Sequence, residues 1–257
     1  MDEIKRINND NFKDIASKLK FNPTILTKDY FLTIVLYLIK NIQGLYFKGG
    51  TALQKIVLNH SRLSEDLDFT LTRNKKDIIN EISSILTKSK LFTKITKDKD
   101  VDKFTRLIIH YKDFSNKDDS VFIDLNERSK LLLESKKYKI EHFYDENIPE
   151  FSFNCLSEEE MIAEKVAATI GRNRPRDYYD LYKIIKNNIK INLNLVKKKC
   201  KQSNVDFNII KMFNNARKIK NRWDDDMIPL LVEEVSFYEV MKTLSSYFNL
   251  KEEKKLK

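Results

Sequence analysis

Glycine is nearly absent from this chain, and the places where it does occur limit what the backbone can do. Four glycines stand among 257 residues, against about 7% in an average protein. Three of them, Gly44, Gly49 and Gly50, fall within seven residues. A residue without a Cβ is needed where the chain turns left-handed or where another group must touch the backbone. Sharp turning and close approach are therefore concentrated at one place. Gly49-Gly50 follows the apolar run Leu45-Tyr46-Phe47, which reads as a strand, and precedes Thr51 to Leu58, which reads as a helix. Backbone amides at such a helix start are free to approach a phosphate. A lone Gly-Gly pair is more often plain turn chemistry. A Walker-type loop is excluded, because no Gly-x-x-x-x-Gly-Lys-Ser/Thr run occurs.

The periodicity changes along the chain. Residues 9 to 43 read as two helices broken at Asn22-Pro23, with Ile25, Leu26, Tyr30, Ile34, Leu38 and Ile42 at helical spacing. Short strands follow at Leu45 to Phe47, Leu67 to Leu71, Phe104 to Tyr111 and Val121 to Leu125, with one helix over about 75 to 89. From Ser157, placed with Glu160 as a capping box, the pattern is helical almost to the end. Gly171 to Arg176 reads as a basic loop, Asp177 as the opening of the next helix, and further helices are expected near 192 to 202, 206 to 222 and 227 to 248. Asp224, Asp225 and Asp226 read as the start of the last helix. No internal repeat is visible. The expectation is an α+β fold, a small mixed sheet flanked by helices (1–155), then a basic helical bundle (156–250) and a charged tail (251–257).

The chain is long enough to bury a core, and 41% hydrophobic with 33% charged residues argues against disorder. Cys155 and Cys200 lack the spacing of a zinc site or a disulfide framework. The longest apolar run, Phe31 to Ile39, is broken by Thr33 and falls short of the roughly 20 residues of a membrane span. The acidic start Met1-Asp2-Glu3 is unlike a secretory signal, so a cytoplasmic protein with no membrane partner is expected. Net charge is +10, and between Lys183 and Arg222 twelve Lys or Arg stand against one acidic residue, Asp206. A basic half joined to a near-neutral half suits contact with a polyanion, and a solvated Lys-rich helical surface fits too.

Asp66 and Asp68 lie two apart in Asp66-Leu67-Asp68-Phe69, and on a strand that spacing puts both carboxylates on one face. Held so close, they repel unless a cation neutralises them, which suits a hard metal such as Mg2+ or Mn2+. Such a metal bridges nucleotide phosphates. Asp124 lies opposite the apolar face Val121, Ile123 and Leu125. It reads as a third metal ligand or general base, or as a solvent-facing strand residue. Lys165, among Ala163, Ala167 and Ala168, reads as a triphosphate contact or as a surface lysine beside Glu164. Asp177, after Arg172, Arg174 and Arg176, reads as a helix cap or as a nucleotide contact with the arginines on phosphates.

Lys48-Gly49-Gly50-Thr51-Ala52-Leu53, then Arg62-x-Ser64-x-Asp66-Leu67-Asp68-Phe69, then Glu164-Lys165, then Arg174-Pro175-Arg176-Asp177-Tyr178-Tyr179-Asp180-Leu181 together resemble the AbiEii/MenT family of nucleotidyltransferase-like toxins from type IV toxin-antitoxin and abortive-infection systems. The resemblance implies a polymerase-beta-like core. It implies phosphate held by Gly49, Gly50 and Thr51, with Lys48 and Ser64 in the nucleotide-binding set. It further implies metal on Asp66 and Asp68, with Asp124 a looser match, Lys165 at the triphosphate, and Asp177 as a further essential acid. Members transfer nucleotides from an NTP to an acceptor, for some the 3′ end of tRNA, and a cognate antitoxin restrains them. Arg172, Arg174, Arg176, Lys197, Lys198 and Lys199 are the expected RNA contacts. Two other readings share these residues: a non-catalytic nucleic-acid or partner-binding module, and a nucleotidyltransferase acting on protein or small molecules.

Overall fold

A computed structural model of the chain describes residues 4–250. The residues Met1, Asp2 and Glu3 and the expected tail 251–257 lie outside the described residues. The chain divides into two compact units, Met1–Ser157 and Glu158–Lys257.

In the first unit, α1 (Asn9–Leu19) begins at Asn8, whose side chain accepts from the Asn11 amide, and ends at Lys20 in the left-handed conformation. Helix α2 (Pro23–Ile39) starts with a cap at Asn22 and proline in its first turn, where the missing N–H costs nothing. It is apolar almost all round, and Leu26, Tyr30, Leu32, Val35 and Leu36 are buried. Then follow β1 (Leu45–Lys48), α3 (Gly49–Ile56), β2 (Asp66–Leu71), α4 (Lys75–Ser89), β3 (Lys94–Val101), β4 (Phe104–Lys112), β5 (Asp118–Asn126), β6 (Lys136–Lys139) and β7 (Ser152–Cys155).

The seven strands form one sheet in the order β3-β4-β5-β2-β1-β7-β6. It is mixed: β2 runs parallel to β5 and β1 parallel to β7, while the other pairs are antiparallel. On one face Leu45, Phe47, Leu67, Phe69, Leu107, Ile109, Val121, Ile123 and Leu125 are buried. Helix α2 packs on β5 and α4, and α4 on β3. This places β2 at the centre of the sheet, between β1 and β5. Strands β3, β6 and β7 were not expected from the sequence.

The second unit is helical: α5 (Glu158–Gly171), α6 (Pro175–Lys186), α7 (Leu193–Gln202), α8 (Lys211–Asn214), α9 (Ala216–Lys220), α10 (Trp223–Met227), a 3-10 turn at Ile228–Leu230, and α11 (Phe237–Tyr247). The continuous helix expected over 206 to 222 is replaced by turns and the short α8 and α9. Asn208, Asn214, Asn215 and Asn221 interrupt that stretch, and Asn competes with helical hydrogen bonding. The helix expected from 227 to 248 begins only at Phe237, capped by Ser236, because Pro229 lies in the preceding turn. Asp224, Asp225 and Asp226 sit in the first turn of α10, not in the last helix. No helix among the described residues is long and apolar enough to cross a membrane.

Candidate active site

Strand alternation builds the first part of the site. Leu67 and Phe69 turn into the core, so Asp66 and Asp68 share the opposite face of β2. The pairing registers extend that face sideways: Lys48 stands opposite Asp68, Asp68 opposite Asp124, and Asp124 opposite Arg106. Directly opposed residues on neighbouring strands point to the same side of the sheet. A row of four charged side chains, two cations flanking two carboxylates, therefore crosses β1, β2, β5 and β4. Adjacent members are about one strand spacing apart, roughly 4.8 Å.

The glycine turn lies against this row. Gly49 has φ +80°, and a Cβ there would come within 2.1 Å of Asp68 Oδ2 and 2.7 Å of its Cγ. Only glycine permits both the left-handed backbone and that approach. A Cβ on Gly50 would meet Arg62 Nη2 at 3.1 Å and Ser64 Oγ at 3.4 Å. Thr51 Oγ1 donates to the backbone carbonyl of Asp66 at 2.5 Å, so the first turn of α3 is clipped to the main chain of β2 and rests on the Asp68 carboxylate. Thr51 and Ser64 are buried. The Thr51 hydroxyl fastens the turn, which leaves backbone amides for any anion. Helix α3 begins without a side-chain cap hydrogen bond, the condition in which first-turn N–H groups serve an anionic ligand.

Arg106 was not recognised in the sequence. Its Nε and Nη2 donate to Asp124 Oδ1 and Oδ2, each at 2.7 Å, so the carboxylate expected as a third metal ligand or base accepts a two-point fork. The available signal was the alternation of β4. Thr105, Leu107, Ile109 and Tyr111 are buried, which places Arg106 on the same outward face as Asp124. Arg62 was quoted only as part of a motif. It is 2% exposed, donates from Nη1 to the Leu63 carbonyl, and lies beneath Gly50.

The second unit holds a buried charge cluster. Lys165, 7% exposed, places Nζ 2.8 Å from Asp177 Oδ1 and 2.9 Å from Asp180 Oδ2, so it is not the surface lysine that one reading allowed. Arg172 donates from Nε to Asp177 Oδ2 at 2.6 Å and from Nη2 to Oδ1 at 3.0 Å. Burial alone would raise the Asp177 carboxyl, but Lys165 and the Arg172 guanidinium outweigh it and hold the group well below the usual carboxylate range. Asp177 does not open its helix: Arg174 is the N-cap residue and Pro175 the first helical one, as the fixed φ of proline favours.

The sequence matches the family described as nucleotidyl transferase AbiEii toxin, type IV TA system, over residues 32–243. The chain belongs to this family. Among solved structures, the AbiEii chain is similar to the nucleotidyltransferase toxin MenT4 from Mycobacterium tuberculosis, with TM-score 0.65 and 18% identity, covering 93% of this chain and 89% of that one. It is also similar to JHP933 from Helicobacter pylori, with TM-score 0.61 and 17% identity, covering 92% and 96% of the two chains. At such identities the likeness establishes the nucleotidyltransferase-toxin fold. No curated protein matches the sequence.

In this AbiEii-family chain Asp66 and Asp68 fit a divalent cation that takes few protein ligands. Among the described residues no three His, Cys, Asp or Glu side chains converge to hold an ion. Mg2+ characteristically takes one or two carboxylates and completes its shell with phosphate and water, and Asp66 with Asp68 beside an uncapped helix start meets that need. The basic residues expected at RNA divide into two groups. Arg172, Arg174, Lys197 and Lys198 are exposed and Arg176 is half-buried. Lys199 is withdrawn from that set: it is 2% exposed, with Nζ 2.5 Å from Glu160 and 2.9 Å from Glu164. A lysine closed between two carboxylates has no surface to offer a phosphate. Lys186 and Arg222 also pair, with Glu239 and Asp226 from outside that segment, which reduces the regional charge excess.

Proposed function

We propose that this AbiEii-family toxin transfers a nucleoside monophosphate from an NTP to an RNA acceptor such as tRNA, with Mg2+ or Mn2+, and that a cognate antitoxin restrains it. The observation that supports this most is the contact of Gly49 with Asp68, because it sets a phosphate-accessible backbone turn against the carboxylate pair. Asp66 and Asp68 are the residues that would hold the cation, which when bound supplies the positive charge joining carboxylates to phosphate oxygens. Gly49 and Gly50 admit the triphosphate to the start of α3. Lys48 flanks Asp68 in register and adds positive charge beside that path. In the transfer the acceptor hydroxyl oxygen bonds to the α-phosphorus. The bond from that phosphorus to the bridging oxygen breaks, pyrophosphate leaves with the electron pair, and the hydroxyl proton passes to solvent. For the second unit we assign Arg172, Arg174, Arg176, Lys197 and Lys198 to RNA backbone contact. Lys165 and Asp177 are essential there, Lys165 by holding Asp177 and Asp180 in place.

The test is incubation of purified protein with each labelled NTP, Mg2+ and total RNA, repeated with Asp66→Ala and Asp68→Ala. Label on RNA with wild type and none with either variant is expected. Undiminished label with both variants overturns the proposal, and label on protein or a small molecule replaces the acceptor. Induced expression is expected to arrest growth with wild type and not with Asp66→Ala.

A further inference from the structure

Arg106 holds Asp124 in a way that nucleotide transfer alone does not require. The guanidinium fork takes both oxygens of the carboxylate, and Asp124 stands directly opposite Asp68 on the neighbouring parallel strand. Asp124 thus borders the Asp66/Asp68 pair across the strand boundary, and its oxygens already face a fixed positive charge. The pair is largely shielded, with side-chain exposures of 33% for Arg106 and 11% for Asp124, so the competition is not lost to solvent screening.

We propose that Arg106 competes with the divalent cation for Asp124, so that the nucleotide-free protein binds metal through Asp66 and Asp68 alone and gains Asp124 as a third ligand only when the guanidinium is drawn away. This rests on the reading of Asp66 and Asp68 as the metal pair. A triphosphate is the chemistry that draws the guanidinium off, since phosphate oxygens accept the same planar fork. Metal and nucleotide then favour each other's binding, and by linkage the coupling is mutual.

The experiment is a Mn2+ titration of nucleotide-free protein, followed by electron paramagnetic resonance of the free ion, with wild type, Arg106→Gln, Arg106→Lys, Arg106→Gln/Asp124→Asn and Asp66→Asn. Arg106→Gln is expected to bind Mn2+ at least about tenfold more tightly than wild type, because a cation beside the site is gone and a carboxylate is released. Arg106→Lys keeps the charge but loses the fork and is expected to lie between them, which serves should Arg106→Gln fold poorly. The double variant has unchanged net charge, so its affinity is expected to return to wild type or below. An Arg106→Gln affinity no tighter than wild type, or a gain that persists in the double variant, overturns the proposal. If wild type binds Mn2+ and Asp66→Asn does not, such a failure falls on Arg106 alone. If no variant binds Mn2+ at all, the metal reading fails with it.

Discussion

A methyl group at Gly49 has nowhere to go, because it would stand 2.1 Å from Asp68 Oδ2 on a backbone with φ +80°. Left-handed backbone costs alanine about 1 kcal/mol, and relief of the clash moves Asp68 away. Gly49→Ala is therefore expected to lose roughly 1 to 3 kcal/mol in urea denaturation and nearly all nucleotide transfer. Gly50→Ala meets its neighbours at 3.1 and 3.4 Å and is expected to retain more of both. Equal activity of Gly49→Ala and wild type would show that the close approach has no catalytic use. The Asp66 and Asp68 pair was legible in the sequence because strand alternation is a local rule. Arg106 was not, since its meaning depends on which strand lies beside β4. Lys199 misled for a related reason: its charge is printed in the sequence, but Glu160 and Glu164 stand 39 and 35 residues away.

Helix α3 is fastened at both ends. Thr51 ties its start to β2, and Lys55, near its end, enters a buried cluster with Nζ 2.8 Å from Asp29 Oδ1 and 3.1 Å from Thr33 Oγ1. Tyr144 donates to the other Asp29 oxygen at 3.0 Å. Burial would raise the Asp29 carboxyl, but Lys55 and then His60 keep it below its ordinary value. Lys55→Met leaves that carboxylate buried without its main partner, at a cost of about 3 to 5 kcal/mol. The double variant Lys55→Met/Asp29→Asn is expected to recover part of the loss, read by urea denaturation of both. A double variant no more stable than the single one contradicts this. Strands β1, β2, β4 and β5 were legible because each alternates apolar residues toward the core. Strands β3 and β6 are the sheet's two edges, with the sequences Lys-Ile-Thr-Lys-Asp-Lys-Asp-Val and Lys-Lys-Tyr-Lys. Such charge discourages pairing with another chain, and it also erases the hydrophobic signal by which a strand is read.

Across the whole molecule, charge governs the pH response and the proposed RNA contact. Burial, with Lys55 adding to it, pushes His60 down to about 4, against about 6.5 in an unfolded chain. A lowered histidine contributes stability that is fully present above the unfolded value and is lost as pH falls from 6.5 through 4. Wild type is expected to lose up to about 3 kcal/mol more than His60→Asn between pH 7 and pH 4, measured by urea denaturation at each pH. Asparagine suits the left-handed backbone at this position, φ 51°. Parallel pH profiles would contradict the assignment. For RNA, Lys197→Gln and Lys198→Gln are each expected to weaken binding and lower the salt slope by roughly one ion or less. Lys199→Gln is expected to destabilise the fold instead, and filter binding with a denaturation control separates the two. The pairing of a glycine turn with two aspartates was readable from order and spacing, whereas the internal pairing that reduces the basic excess needed the fold. The most direct measurement is an anomalous difference map from crystals grown with Mn2+ and a non-hydrolysable NTP. A manganese peak within direct coordination distance of carboxylate oxygens of both Asp66 and Asp68, with phosphate against Gly49 and Gly50, is expected. An ordered triphosphate away from that turn, or manganese bound by neither aspartate, would contradict it.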